Sequence, residues 1–549
     1  MKPQRFSQTG VSYVSFTLWL ALFFTLVVNL PVYKELYQVL SQLEAVDPGF
    51  VVSVPVFFAA VLNLLFNVFS WPRIAKPFFI ALVLVSALVS YAEFNYGSVF
   101  DQEMITNIIE TDTTEAGSYL SVYSVVWTLL MGVLPALIIY NVKLKQERTV
   151  AKLVLKKGAS MLVSLLVVAA VAGVFYQDYV SVGRNNKYLV RLIIPTQWVH
   201  ATNSYIKETY FTTPQPYQQI GLDAKQTPQA LQQAEVKPTL LVLVVGETAR
   251  AQNYPENGYA RDTTPFTREL DIVKFEDVAS CGTATAISVP CMFSALNRQT
   301  FNRQQADNQD NLLDLLQRAQ VSVLWKENDG GDKKVAKNVN KIVVDRKRQD
   351  AQCQNGSCYD TALLEQFDDN VAAMKGNRVL VLHLMGSHGP TYFRRYPESM
   401  SEYQPECAQA DIENCSVDEI VNTYDNTLRY TDYVLKKTIN KLSSLQERYN
   451  TALVYISDHG ESLGENGLFL HGMPYSLAPD YQKRVPMWVW MSPGFQQSKH
   501  VNYDCLKQEA TRKNTYSQDN LFHSVLGVMD VHTQEYQSAL DVFRTCRRS

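Results

Sequence analysis

The chain has 549 residues, with 50 Lys and Arg against 53 Asp and Glu and a formal net charge of -3. That length calls for more than one structural unit, and the near-balanced charge, with no basic stripe interleaved with aromatics outside one short loop, argues against a nucleic-acid binder. Long apolar runs crowd the part before residue 180, whereas all eight cysteines lie from Cys281 onward, so the two halves are built for different solvents.

Five runs, centred on 11–30, 50–70, 77–94, 120–140 and 159–176, are candidate membrane crossings, each of which takes about 20 apolar residues. Lys2 and Arg5 precede the first run, and Arg73 and Lys76 separate the second from the third. Lys143, Lys145, Arg148, Lys152, Lys156 and Lys157 fall between the fourth and fifth. The longer of the remaining connections is acidic, with Asp101, Glu103, Glu110, Asp112 and Glu115. The positive-inside rule then predicts a cytoplasmic N-terminus and an exported C-terminal half. The first run is too long for the apolar stretch of a cleavable signal peptide. The chain therefore divides into a transmembrane domain over 1–180, a linker over 181–237 and an exported domain over 238–549. Within the linker, 203–211 (NSYIKETYF) mixes aromatics with charge and reads as an interfacial helix or as a plain connection.

Eight cysteines confined to the exported half suit an oxidising compartment. The close pairs Cys281/Cys291, Cys353/Cys358 and Cys407/Cys415 are the natural local bridges, leaving Cys505 with Cys546. No CxxC pair is present to make a structural zinc cluster.

From about Pro238, short β-branched runs alternate with helical stretches; the clearest strands are 240–245, 321–325, 379–384 and 451–457. This βα rhythm predicts a mainly parallel sheet with helices on both faces. Ligands of such sheets bind beyond the carboxyl ends of the strands. The polar residues that look chemical follow those strands: Glu247-Thr248, the run KENDGGDKK from Lys326, His388, and Asp458-His459. Carboxylate and imidazole groups suit zinc, and Glu247, Asp458, His459, His388 and His471 form one candidate ligand set. The loop Ser280–Cys291 offers four hydroxyls, Ser280, Thr283, Thr285 and Ser288, and spacing alone does not choose among them. Metal coordination would give one of them nucleophilic character, and a Cys281/Cys291 bridge would hold the loop rigid. Lys333, Asn328 and His383 are candidates to hold phosphate oxygens or protonate a leaving oxygen.

Four motifs carry a resemblance: GETAR at 246–250, CGTATAISVPCMFS at 281–294, HLMGSHGP at 383–390 and SDHGESLGENGLFLHGMPY at 457–475. Together they resemble the lipid A phosphoethanolamine transferases, the family that includes the transferable colistin-resistance enzymes. The resemblance spans essentially the whole chain. It implies five membrane helices and an exported domain of alkaline-phosphatase/sulfatase-like fold. It further implies a zinc site at Glu247, Thr285, Asp458 and His459 with Thr285 as nucleophile, and a second metal or phosphate contact at His388 and His471. Lys333 and His383 match further pocket residues; Asp329 stands where the family usually has Asn. The acidic stretch YGSVFDQEMITNIIETDTTEA, at 96–116, resembles the family's substrate loop and puts Asn107, Thr111 and Glu115 near an ethanolamine group. The implied reaction moves phosphoethanolamine from phosphatidylethanolamine to lipid A through a phospho-threonine, in a monomer of the bacterial inner membrane. A sister acceptor, a core sugar of lipopolysaccharide or a periplasmic glucan, remains the alternative.

Overall fold

The computed structural model describes residues 10–43, 46–213 and 215–547, so Lys2 and Arg5, part of the orientation argument, lie outside the described residues. Packing divides the chain into two units, Met1–Gln102 with Leu120–Tyr205 and Glu103–Tyr119 with Ile206–Ser549.

In the first unit, α1 (Tyr13–Phe23) runs through a wide turn at Phe24–Val28 into α2 (Leu30–Ser41) with a bend of 53°. The expected crossing at 11–30 is thus a bent pair, because Asn29 interrupts the helical ladder. Its amide donates to Phe24 O at 3.0 Å and Ile194 O at 2.7 Å and its oxygen accepts Ile194 N at 2.9 Å, while Pro31 starts α2. Next come α3 (Pro48–Phe69) and α4 (Ala75–Tyr96). Two short helices, α5 (Gln102–Glu110) and α6 (Thr113–Ser118), which from Glu103 on belong to the second unit, come before α7 (Val122–Asn141) and α8 (Val150–Asn185) of the first. Helices α3, α4, α7 and α8 are each long and apolar enough to span a membrane, and the bent pair makes up to five. Leu162, Val163, Leu165 and Leu166 of α8 are exposed, an apolar surface that needs lipid rather than water. Polar groups turn inward instead: Asn63 of α3 donates to Ser160 Oγ at 3.1 Å and Ser164 Oγ at 2.9 Å on α8, interhelical bonds of the kind that hold membrane bundles. After α9 (Thr196–Ile206) the chain stays helical through Lys207–Phe211, with Tyr210 and Phe211 exposed.

The second unit is built on an eight-stranded sheet. In chain order its strands are β1 (Thr239–Gly246), β2 (Val273–Ala279), β3 (Ser322–Glu327), β4 (Asn340–Val343), β5 (Arg378–His383), β6 (Asn450–Ser457), β7 (Arg484–Met491) and β8 (Tyr516–Ser517). They lie in the order β8-β2-β7-β6-β1-β5-β3-β4. Only β7 runs antiparallel to its neighbours. All of β1, TLLVLVVG, is buried, as a central parallel strand covered on both faces requires. Leu241, Leu243 and Val245 join Phe293, Leu312 and Phe522 in one core, each such side chain contributing about 1.5–3 kcal/mol on burial. The long helix α10 (Val417–Ser444) packs against β6. Disulfides join Cys281–Cys291, Cys353–Cys358, Cys407–Cys415 and Cys505–Cys546.

Candidate active site

Register brings the chemical groups together. Gly246 of β1 lies opposite Ser457 of β6, and Val245 opposite His383 of β5, whose own neighbour on β3 is Glu327. The residues that leave these strand ends, Glu247, Asp458 and His459, therefore share one buried pocket. Gly386 lets the next loop close over it: at φ +50, a Cβ there would sit 2.7 Å from Glu247 O.

Thr285 opens a short helix (Thr285–Met292) beside this pocket. Its hydroxyl donates to Glu247 Oε2 at 3.1 Å and lies 3.3 Å from His459 Nε2. The other three hydroxyls of the loop are turned to the loop or its neighbours. Ser280 Oγ donates to Gly282 O, Ser288 Oγ accepts Gly282 N, and Thr283 Oγ1 donates to Met473 O.

The donor set fits a divalent cation. Glu247 Oε1 and Asp458 Oδ2 are buried and accept no hydrogen bond, which is costly for carboxylates without a counter-charge. His459 Nδ1 is 2.9 Å from Gly460 O; donating there keeps the Nε2 lone pair free toward Glu247 and Asp458. One donor atom from each of Glu247, Asp458 and His459 lies within 4.8 Å of the other two. Burial, then the Asp458 and Asp329 carboxylates, push the Glu247 pKa well up, and burial pulls His459 down to about 4.

Around this cluster stand the remaining expected residues. His471 Nδ1 pairs with Glu461 Oε2 at 2.9 Å, and its ring lies 4.4 Å from that of His459. His388 Nδ1 is 2.9 Å from Gly389 O, and its Nε2 lies 3.2 Å from Glu115 Oε1. Burial would raise Glu115, but His388 in contact, with Lys333 and His471, outweighs it and holds the carboxyl at about 2. Lys333 is half-buried; burial would lower it, yet Asp329, Glu115, Glu110 and Glu247 raise it. His383 is wholly buried, 2.9 Å from Glu327 through Nδ1, with Nε2 3.7 Å from Asp329. Burial would lower His383, but Glu327 and Asp329 lift it to about 9. Asn107 accepts the Thr111 hydroxyl on its carbonyl at 2.8 Å, which ends α5.

The 103–119 segment is fastened to this unit by ion pairs: Arg303 to Glu110 at 2.9 Å and Arg346 to Asp112 at 2.9 Å. Arg303 also donates to Ala286 O at 2.5 Å and Lys333 O at 3.4 Å, so one guanidinium links the segment to the neighbours of Thr285 and to Lys333.

Asn328 does not fill the role its position implied. Its amide donates to Cys358 O at 3.0 Å and Asp360 Oδ1 at 2.8 Å, so it braces the loop instead of meeting a phosphate. Four further residues escaped the sequence reading. Asp360 accepts Met385 N and Gly386 N, and Arg395 donates to His388 O. Gln518 donates to Ser457 O and Asp458 O while accepting Cys281 N. Only the fourth, Glu461, had a signal: it lies two residues beyond His459 in the SDHGE motif.

Comparison with known proteins agrees with this geometry. A sulfatase family model matches residues 239–531, and a model described as phosphoethanolamine transferase EptA/EptB matches residues 58–210. The phosphoethanolamine transferase EptA of Escherichia coli (strain K12) is 40% identical over 548 residues, covering 100% of both chains. The phosphatidylethanolamine transferase Mcr-1 of Escherichia coli is 35% identical over 479 residues, covering 86% of this chain and 88% of its own. Among solved structures, the integral membrane protein lipooligosaccharide phosphoethanolamine transferase A of Neisseria meningitidis superposes with a TM-score of 0.92 at 38% identity, covering 97% of this chain and 99% of that one.

Proposed function

The chain belongs to the phosphoethanolamine transferase family, and from that premise we propose that it moves phosphoethanolamine from phosphatidylethanolamine to a phosphate of lipid A through Thr285. The observation that carries the reading is the Thr285 hydroxyl, the one hydroxyl of its loop turned onto Glu247 and His459. Thr285 Oγ1 attacks the donor phosphorus, and the bond to the diacylglycerol oxygen breaks. The hydroxyl proton ends on the released diacylglycerol oxygen, and phosphoethanolamine is left esterified to the threonine. An oxygen of the acceptor phosphate then attacks the same phosphorus. The bond to Thr285 breaks, and the acceptor's proton restores the hydroxyl.

The surrounding residues divide the work. Lys333, His383, His388 and His471 hold charge on the phosphoryl oxygens. Glu115, with Asn107 and Thr111, faces the ethanolamine ammonium; Glu115 is kept ionised by the cations around it. A zinc ion bound by Glu247, Thr285, Asp458 and His459, with His388 and His471 open to a second ion, supplies charge neutralisation and acidifies the hydroxyl. The chain acts as a monomer, with a transmembrane domain over 1–180, a linker over 181–237 and a catalytic domain over 238–549 to which the loop residues near Glu115 contribute. The N-terminus is cytoplasmic and the catalytic domain periplasmic, following the charge of the loops. Each added ethanolamine lowers the negative charge of the outer surface, and with it the attraction for polymyxins and other cationic peptides.

Mass spectrometry of lipid A from cells with wild-type protein, with Thr285→Ala and without the gene tests this reading. A phosphoethanolamine mass increment that appears only with the wild type is the expected result. Unmodified lipid A beside a modified core sugar or glucan would move the assignment to a sister acceptor.

A further inference from the structure

A groove of about 630 Å³ runs beside the Gly330-Gly331 turn and β4, and Arg346 lines both this groove and a second, narrow cavity. The charged and imidazole groups that line the narrow cavity, about 20 Å³, are Glu115, Asp329, Arg346, His388, Arg394 and Arg395. Its size admits one or two ligand atoms, since a water needs about 10–15 Å³ of such space. The groove falls in the range of about 300–1,000 Å³ typical of small-molecule sites. His388 stands between this pair of cavities and the Thr285 cluster, with one of its nitrogens within 4.8 Å of Glu247 and Asp329 ligand atoms.

Of the three arginines here, Arg346 pairs with Asp112 at 2.9 Å, whereas Arg394 and Arg395 make no ion pair among the described residues. Arg395 is 8% exposed, and its three guanidinium nitrogens donate to neutral acceptors: His388 O at 2.7 Å, Ser357 Oγ at 3.1 Å and Thr391 Oγ1 at 3.2 Å. Among the described residues, neither Arg394 nor Arg395 has a carboxylate within ion-pair distance. Asp329 and Asp360 act on Arg395 only from beyond ion-pair distance, and a guanidinium whose hydrogen bonds go to neutral acceptors keeps a planar fork that matches phosphate oxygens. The groove wall carries Asp112, Asp332 and Asp345 with Lys341, Arg346 and Lys347, and it is open at Gly331, where an added Cβ would meet nothing within 4 Å.

Resting on the transfer reaction proposed above, we propose that this groove seats the acceptor's phosphorylated sugar and that Arg346, Arg394 and Arg395 receive its phosphate beside His388. The narrow cavity takes phosphate oxygens and the groove takes the ring. The subsite thereby selects an anionic saccharide over a neutral one.

Binding to the full-length chain in detergent tests the subsite apart from turnover. The probes are a bisphosphorylated disaccharide glycolipid and its dephosphorylated counterpart, measured against wild type, Arg394→Glu and Arg394→Lys. Arg394 is exposed, so neither variant threatens the fold. Arg394→Glu should weaken the phosphorylated ligand about tenfold or more, and Arg394→Lys by about threefold or less, while the dephosphorylated ligand binds wild type and Arg394→Glu alike. Equal binding of the phosphorylated ligand by wild type and Arg394→Glu overturns the subsite, as does an equal loss of both ligands. Release of diacylglycerol from phosphatidylethanolamine by the wild type is read in parallel. Its absence would sink the transfer reaction and leave the binding result to judge the subsite.

Discussion

Replacing Glu247 by Gln should strengthen the metal-free chain and weaken the metal-loaded one. Glu247, Asp458 and His459 bring one ligand atom each within 4.8 Å of one another, and two of the carboxylate oxygens are buried without hydrogen bonds. Two like unit charges at that limit of 4.8 Å repel by about 3.5 kcal/mol at an effective dielectric constant of about 20. Part of this is already relieved, because burial and the neighbouring carboxylates push Glu247 toward its protonated form. The amide should therefore stabilise the chelated protein by about 1–2 kcal/mol. With metal the sign reverses. An ion at about 100 times its dissociation constant stabilises a folded chain by about 2.7 kcal/mol, and an amide in place of the carboxylate forfeits most of that gain. The assay is denaturant unfolding of the purified full-length chain in detergent, with chelator and with excess zinc. The two stability curves should cross: Glu247→Gln ahead with chelator, wild type ahead with zinc. If the wild type leads under both conditions, or zinc stabilises both proteins equally, the cluster is not a metal site organised around Glu247.

Three other measurements follow. His523 is buried, accepts Gln537 N on Nδ1, and is held by burial at about 4; the unfolded chain takes up a proton below about pH 6.5 and the folded one does not. Stability should fall by about 2 kcal/mol between pH 7.5 and pH 5 from this group alone, and His523→Asn, which keeps an acceptor, should flatten the unfolding-versus-pH curve by that amount. Arg303→Met removes the bonds to Glu110, Ala286 O and Lys333 O; hydrogen exchange over 103–119 should quicken, with turnover down by about tenfold or more. The Cys505–Cys546 bridge closes a separation of 41 residues against 5 for Cys353–Cys358. Paired Ser substitutions should cost about 4 kcal/mol at the first and about 2 kcal/mol at the second, an order that unfolding in denaturant reads directly.

Features set by local pattern could be read from the sequence, and those set by distant partners could not. Strand β1 announced itself through six consecutive buried apolar positions, Leu240–Val245, and Gly, and its parallel neighbours through a similar composition. Once those strands are in register, Glu247, Asp458 and His459 must meet, because each follows a strand end directly. The choice of Thr285 is different in kind. Ser280, Thr283 and Ser288 are equally good nucleophiles on paper, and what removes them is a hydrogen bond to Gly282 or Met473 that only the folded loop defines. Asn328 illustrates the converse: its position beside Asp329 looked chemical, but Asp360, 32 residues away, holds its amide. Gln518 ties the Thr285 loop to the Asp458 strand end from 237 and 60 residues away, with no local mark. In the membrane half the apolar length was plain, whereas the bend at Asn29 depends on Ile194, 165 residues on.

The pocket's histidines show how one residue type is put to two uses by its second nitrogen. His459 is positioned to donate Nδ1–H to a peptide carbonyl, Gly460 O, so it gains no counter-charge there, and burial drives it toward the neutral form that a metal ligand must have. His471 and His383 instead face carboxylates through Nδ1, Glu461 and Glu327, and both are raised despite burial. His383, at about 9, is thereby held as a cation, suited to stabilising charge on a transferring phosphoryl group, and His471 is shifted in the same direction. The carboxylates behind them therefore matter as much as the rings. Glu461 is itself fixed by the Tyr392 hydroxyl at 2.5 Å and Glu327 by the Trp325 indole at 2.8 Å. Each histidine's charge is set by a group one layer farther from the substrate, in the sheet end where β1, β3, β5 and β6 converge.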